Sequence, residues 1–123
     1  MPHTYSICVP ESLVRVTCSG PGSLEEGARV LQEVADDPKF VPGYGLLVDV
    51  RECTAQLTPK EVTSFSAFLK AVKRFNESRM AIVTTNVLYY GFGRMMSALT
   101  DTGGIAVKVF KDIDEAVVWV SGG

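Results

Sequence analysis

Two groups of residues have the types and spacing to do chemistry. Asp49 and Arg51 close the segment DPKFVPGYGLLVDVR at 37–51, where a Pro- and Gly-punctuated loop runs into an apolar strand. Side chains alternate along a strand, so residues two apart share a face. The carboxyl end of a buried strand is where open α/β sheets hold their ligands. The pair can bind a ligand there. Alternatively, Asp49 accepts hydrogen bonds from backbone N–H groups of the turn that follows, as a buried carboxylate requires. The second group is Tyr90, Arg94, Ser97 and Asp101. Spacings of three and four place them on one helix face. An Arg beside a Tyr at a helix start can hold an anion, helped by the helix N-terminus. The same residues also suit a solvated face with a Tyr–Arg stack and an Arg94–Asp101 contact. Gly91 and Gly93 each cost a helix about 1 kcal/mol relative to Ala, which points to close approach to the sheet, a second subunit or a ligand. Tyr89, Tyr90, Phe92, Met95 and Met96 concentrate aromatic and soft apolar surface, suited to a core or to a partner or lipid patch. The candidate binding residues are therefore Asp49, Arg51, Tyr89, Tyr90, Gly91 and Arg94.

Other chemistries find little to work with. His3 is the one histidine and falls at a terminus expected to fray, which undercuts Ser–His or Cys–His catalysis and a His-based zinc site. Cys8, Cys18 and Cys53 show no CxxC spacing and read as reduced thiols of a cytoplasmic protein; a Cys8–Cys18 disulfide across neighbouring strands would need an oxidising compartment. Gly91-Phe92-Gly93 lacks the spacing and the lysine of a nucleotide loop. No enzyme activity, cofactor or metal is expected. The net charge is −2 and the one basic cluster, Lys70, Lys73 and Arg74, reads as a solvated helix face, so nucleic acid is not an expected partner. No apolar run approaches the roughly 20 residues of a membrane span, and the N-terminus lacks the basic and apolar regions of a signal peptide.

The elements that must position these residues are legible from periodicity and caps. The 123 residues, 46% hydrophobic and 21% charged, suit one core. Alternation over 4–9 and 13–18, broken by Pro10-Glu11-Ser12, predicts an antiparallel hairpin. Ser23 with Glu26, Thr58 with Glu61 and Asp112 with Glu115 have capping-box spacing, and Pro59 suits a first helical position. The remaining helix, third in chain order, starts around Thr85 or Asn86 and stops before Gly103-Gly104. The apolar runs at 45–50, 80–84 and 105–110 lack strict alternation, as strands covered on both faces do. The fold class is α/β, in the order β-β-α-β-α-β-α-β-α. This predicts a mixed, mostly parallel five-stranded sheet with an N-terminal antiparallel hairpin and four helices.

DPKFVPGYGLLVDVREC at 37–53, RMAIVTTNVLYYGFGRMM at 79–96 and VKVFKDIDEAVVWV at 107–120, in this element order, resemble the STAS domain (sulphate transporter and anti-sigma-factor antagonist). The nearer resemblance is to the SpoIIAA-like group of small bacterial proteins. It implies a single STAS-like domain over 1–123 that acts without catalysis, as a regulatory or protein-binding module, with a protein partner or a second copy as a homodimer. In the antagonists, a Ser in an Asp-Ser-Ser-Gly motif after the third strand is phosphorylated. Thr58, nine residues after Asp49, holds that hydroxyl position here without the Asp and Gly, and helix capping also accounts for it. Distant relatives bind lipids or other apolar ligands between helices and sheet. The alternative function is therefore a carrier or sensor of a small apolar or anionic ligand.

Overall fold

The computed structural model describes residues 3–122. The strands are β1 (His3–Cys8), β2 (Leu13–Gly20), β3 (Gly45–Cys53), β4 (Arg79–Val83) and β5 (Ala106–Phe110). The helices are α1 (Leu24–Asp36), α2 (Pro59–Ala71), α3 (Val87–Leu99) and α4 (Ile113–Val120), with a short 3₁₀ turn at Lys73–Phe75. The five strands lie in sequence order, β1-β2-β3-β4-β5. β1 pairs antiparallel with β2, and the remaining pairings are parallel. Right-handed crossovers that step one strand onward each time leave their helices on the same face. α1, α2 and α3 accordingly cover one face, over Val16, Leu46, Met80, Ile82 and Val109. α4 follows the last strand and covers Leu47, Ala81 and Val83 on the other.

The expected caps form. Ser23 Oγ accepts from Glu26 N at 3.1 Å, Thr58 Oγ1 from Glu61 N at 3.2 Å, and Asp112 Oδ1 from Glu115 N at 3.2 Å. Asn86 caps α3 by accepting from Leu88 N and Tyr89 N. Burial differs along the sheet as the patterning predicts. β2 alternates, with Val14, Val16 and Cys18 buried and Arg15, Thr17 and Ser19 exposed, whereas Met80 to Val83 of β4 are all buried.

Three readings need correction. His3 is not frayed: it opens β1, opposite Cys18, and its side chain is only 10% exposed. The pairing of β1 with β2 and the packing of Tyr5 and Ile7 on the core tie this end down. Cys8 lies opposite Leu13, at the far end of the hairpin from Cys18, so no Cys8–Cys18 bridge is within reach; all three thiols are free. Arg74 is exposed, as expected, but it is more than a solvated surface cation. Its guanidinium donates to the Ala35 carbonyl and, at 2.6 Å, to the Phe40 carbonyl, and stands 5.7 Å from the Phe40 ring centre.

The Ala35 carbonyl belongs to the last turn of α1, which has no basic residue of its own. Orphan carbonyls at a helix end need outside donors, and Arg74 reaches across to supply one. Phe40 is fully buried and meets Tyr44 and Phe75 edge-on, with ring centres 5.9 and 5.6 Å away. Tyr5 donates to Asp37 Oδ2 at 3.0 Å, so the loop between α1 and β3 is held from both sides. Arg74→Ala removes both carbonyl contacts and should destabilise the fold by about 2 kcal/mol. Urea unfolding measures this; an unchanged midpoint would show that the guanidinium holds nothing in place.

Candidate functional site

The carboxyl ends of the parallel strands converge on a cavity of about 90 Å³ between the sheet and the three-helix layer. The sheet supplies Val16, Cys18, Val48, Val50, Met80 and Ile82 as its floor. α1 contributes Leu24, Gly27 and Leu31, and α2 contributes Phe65. α3 contributes Tyr89, Phe92, Gly93 and Met96, and the β3–α2 loop closes the mouth with Ala55 and Leu57. No Asp, Glu, Lys or Arg is in this wall. Its polar groups are His3, Ser23, Cys18, Cys53 and Tyr89.

An irregularity of register brings Cys53 there. Thr17 pairs with Asp49, but Ser19 pairs with Glu52, so β3 carries one extra residue between these points. An inserted residue reverses which face the following side chains take. Without it, Cys53 would share the face of Leu47 and Asp49. With it, Cys53 lines the cavity together with Cys18. Tyr89 donates its hydroxyl to the Ala55 carbonyl and so pins the loop over the cavity.

The electrostatics oppose catalysis by these groups. Cys18 is 2% exposed, and burial followed by the contact with Cys53 pushes its thiol up to about 12. Burial and Cys53 likewise push the Tyr89 phenol up to about 12. Both stay protonated at neutral pH, and a protonated thiol is a poor nucleophile. Burial holds the His3 imidazole below its ordinary value, partly offset by the Glu26 carboxylate 3.9 Å away. Among the described residues, no cluster of His, Cys, Asp and Glu is arranged to hold a metal ion.

The lowered imidazole value has a sign. Protonation is harder in the folded chain than in the unfolded one. The stability tied to His3 is therefore present above about pH 6.5 and lost as the pH falls through the lower folded-state value. Unfolding free energy should decline as the pH falls below about 6.5, and His3→Gln should flatten that slope. An identical slope in the variant would assign the loss to other groups.

A solved structure shares this architecture. The crystal structure of an uncharacterised DUF3478-family protein from Shewanella loihica PV-4, described as having a SpoIIAA-like fold, superposes with a TM-score of 0.57. It covers 88% of this chain and 83% of its own, at 24% identity. The fold is SpoIIAA-like. No protein-family model matches the chain, and no curated protein does.

On the SpoIIAA-like sheet the other candidate residues fall into separate places. Asp49 and Arg51 lie away from the cavity, on the α4 face. Asp49 Oδ1 accepts from Arg51 N at 3.1 Å and from Arg51 Nε at 3.0 Å, and Oδ2 accepts from the second guanidinium nitrogen at 2.8 Å. The pair thus satisfies itself at the register irregularity, and Arg51 holds the Asp49 carboxyl below its usual range. Tyr90, Arg94, Ser97 and Asp101 line a shallow polar groove with Lys108 of β5. The cation over the Tyr90 ring is Lys111, 4.9 Å from its centre, rather than Arg94. Gly91 faces open space, and Gly93 presses on Val109 of β5. Thr58 is exposed, and its hydroxyl donates to Glu61 Oε1 at 3.0 Å while capping α2. Of the candidate residues, only Tyr89 lines the cavity. His3, Cys18, Cys53 and Gly27 carried no sequence signal for it, since each depends on which strand or helix lies opposite.

Proposed function

We propose that this protein is a non-enzymatic binding domain that carries or senses a small apolar ligand. The observation that supports the reading is the cavity beneath α1, α2 and α3, whose wall holds no charged side chain. Its position at the carboxyl ends of the parallel strands is where α/β sheets take ligands. An apolar cavity of about 150 Å³ holds one benzene molecule. The smaller space here would accept a short chain as it stands and a single ring after slight outward movement of the helices. Titrating benzene into protein labelled at the methyl carbons tests this. Saturable shifts confined to Met80, Ile82 and Met96 are the expected result. No saturable shift at any cavity residue would overturn the reading.

A second reading, a regulatory domain acting through protein contacts, draws on one separate observation. Val87 and Leu88 are 85% and 62% exposed at the start of α3, next to Tyr89 of the cavity wall. Such a pair suits a partner or a second copy. Sedimentation of the pure protein and of Val87→Asp separates the cases: a monomer at all concentrations in both removes self-association. Among the described residues, no helix is long and apolar enough to cross a membrane.

A further inference from the structure

We propose that the open edge of β5 takes up an acidic, extended segment of a partner protein as a sixth strand. This site lies outside the cavity and does not depend on it. β5 ends the strand order, with β4 on one side and no strand on the other. Its first N–H, at Ala106, donates to the Ser78 carbonyl at 3.0 Å, and its last carbonyl, at Phe110, accepts from Thr84 N at 3.0 Å. Backbone groups of successive residues in a ladder point to opposite sides. Ala106, Lys108 and Phe110 therefore bond to β4, while Val107 and Val109 turn their N–H and C=O groups off the sheet. Among the described residues, no backbone donor or acceptor meets those four groups. A row of unpaired groups of this kind is a template for one more strand.

Charge decides which strand suits. Tyr90, Arg94 and Ser97 of α3, with Lys108 and Val109 of β5, line a groove along this edge. Arg94, Lys108 and Lys111 are all exposed. The two ion pairs among the described residues are His3–Glu26 and Asp49–Arg51, so these three cations have no carboxylate partner. They stand on both faces of the edge. Lys108 reaches over the Phe110 ring, 5.2 Å from its centre, on the α4 face. Lys111 reaches over the Tyr90 ring of α3, on the other. Side chains of a strand alternate between faces, so acids in either phase meet a cation. The groove wall holds one carboxylate, Asp101, and Asp112 beside Lys111 turns its own to the N-terminus of α4. A second copy does not suit the edge, because β5 paired with itself would bring Lys108 and its neighbouring cations close to their own counterparts. An edge lysine deters indiscriminate pairing, and an acidic segment turns the same charge into attraction.

Capped hexapeptides provide the test. One alternates threonine with glutamate, a second carries lysine in place of glutamate, and a third is the glutamate peptide methylated at every backbone nitrogen. Amide shifts and amide hydrogen exchange of the full chain, in about 0.05 M salt where screening is weak, locate and rank their binding. The glutamate peptide should shift the Val107 and Val109 N–H groups and slow their exchange. The lysine and methylated peptides should each bind at least about tenfold more weakly, the range that one or two net hydrogen bonds or charge contacts provide. Arg94→Glu and Lys108→Glu, both at exposed positions, should each weaken the glutamate peptide by about three- to tenfold. Binding that leaves Val107 and Val109 unaffected, or no binding, overturns the proposal. Equal affinity of the methylated peptide would reduce the site to a charged patch and rule out an added strand. Equal affinity of the lysine peptide would rule out the acidic class. Protection of the two N–H groups that grows with protein concentration, with no peptide present, would give the edge to a second copy and overturn the proposal as well. The comparison in the unaltered protein decides these outcomes even if a variant does not fold.

Discussion

Gly93→Ala should destabilise the protein by about 2 kcal/mol, while Gly91→Ala, two positions earlier on the same helix, should stabilise it by roughly 0.5–1 kcal/mol. Both sites gain the same intrinsic helix propensity from alanine. They differ in what the new methyl meets. At Gly93 an added Cβ lies 2.8 Å from both Cβ and Cγ2 of Val109, closer than carbon atoms approach. Val109 is β-branched and buried in β5, so it cannot swing aside as a long side chain would. α3 must move off the sheet, or the strand must shift, and overpacking of this kind outweighs the propensity gain. At Gly91 nothing lies within 4 Å, and only the gain remains. Urea unfolding of the two variants, compared at constant slope, measures the difference. Equal shifts of the same sign would mean that α3 does not sit against β5 as described. Because Gly93 also lines the cavity, the Ala variant should alter ligand uptake as well as stability.

Gly27→Leu should weaken benzene uptake by at least about tenfold while the protein stays folded. A Cβ at position 27 would have its nearest neighbours at 3.6 Å, on His3 Nε2, and 3.8 Å, on Phe65 Cε1, which is ordinary van der Waals contact. Alanine therefore fits, and should add up to about 1 kcal/mol through helix propensity alone. The rest of a leucine side chain has only the cavity to enter, because Gly27 is part of its wall. It would occupy the space a ligand needs without displacing core residues. Gly27→Ala serves as the folded control. Undiminished binding in Gly27→Leu, with the fold intact by circular dichroism, would place the ligand elsewhere.

The experiments separate stability from occupancy. Arg74 and Gly93 report on how the helices are held to each other and to the sheet. Gly27 reports on the space between them.

The elements and their order were legible in the sequence because their signals are local. Ser23, Thr58 and Asp112 cap helices with side chains that reach only two or three residues ahead. The switch from alternation in β2 to continuous burial in β4 reflects one covered face against two. Register was not legible. The extra residue between Asp49 and Glu52 leaves no mark in composition, yet it decides that Cys53 faces the cavity. Arg74 looked like one more surface cation, because nothing near it in sequence shows the carbonyls of Ala35 and Phe40 that it meets. His3 looked frayed until β2 lay beside it.

By itself, then, the sequence determined a mixed α/β sheet, its capped helices and a Gly- and aromatic-rich third helix, all through interactions spanning a few residues. Only the tertiary structure decided that Tyr89 meets the two thiols and His3 around one apolar space, while Asp49 and Arg51 close on each other across the sheet. The physical reason is that side-chain direction depends on pairing register and crossover hand. These are set by contacts between segments thirty or more residues apart in the chain, such as Tyr89 with Ala55 and Arg74 with Phe40.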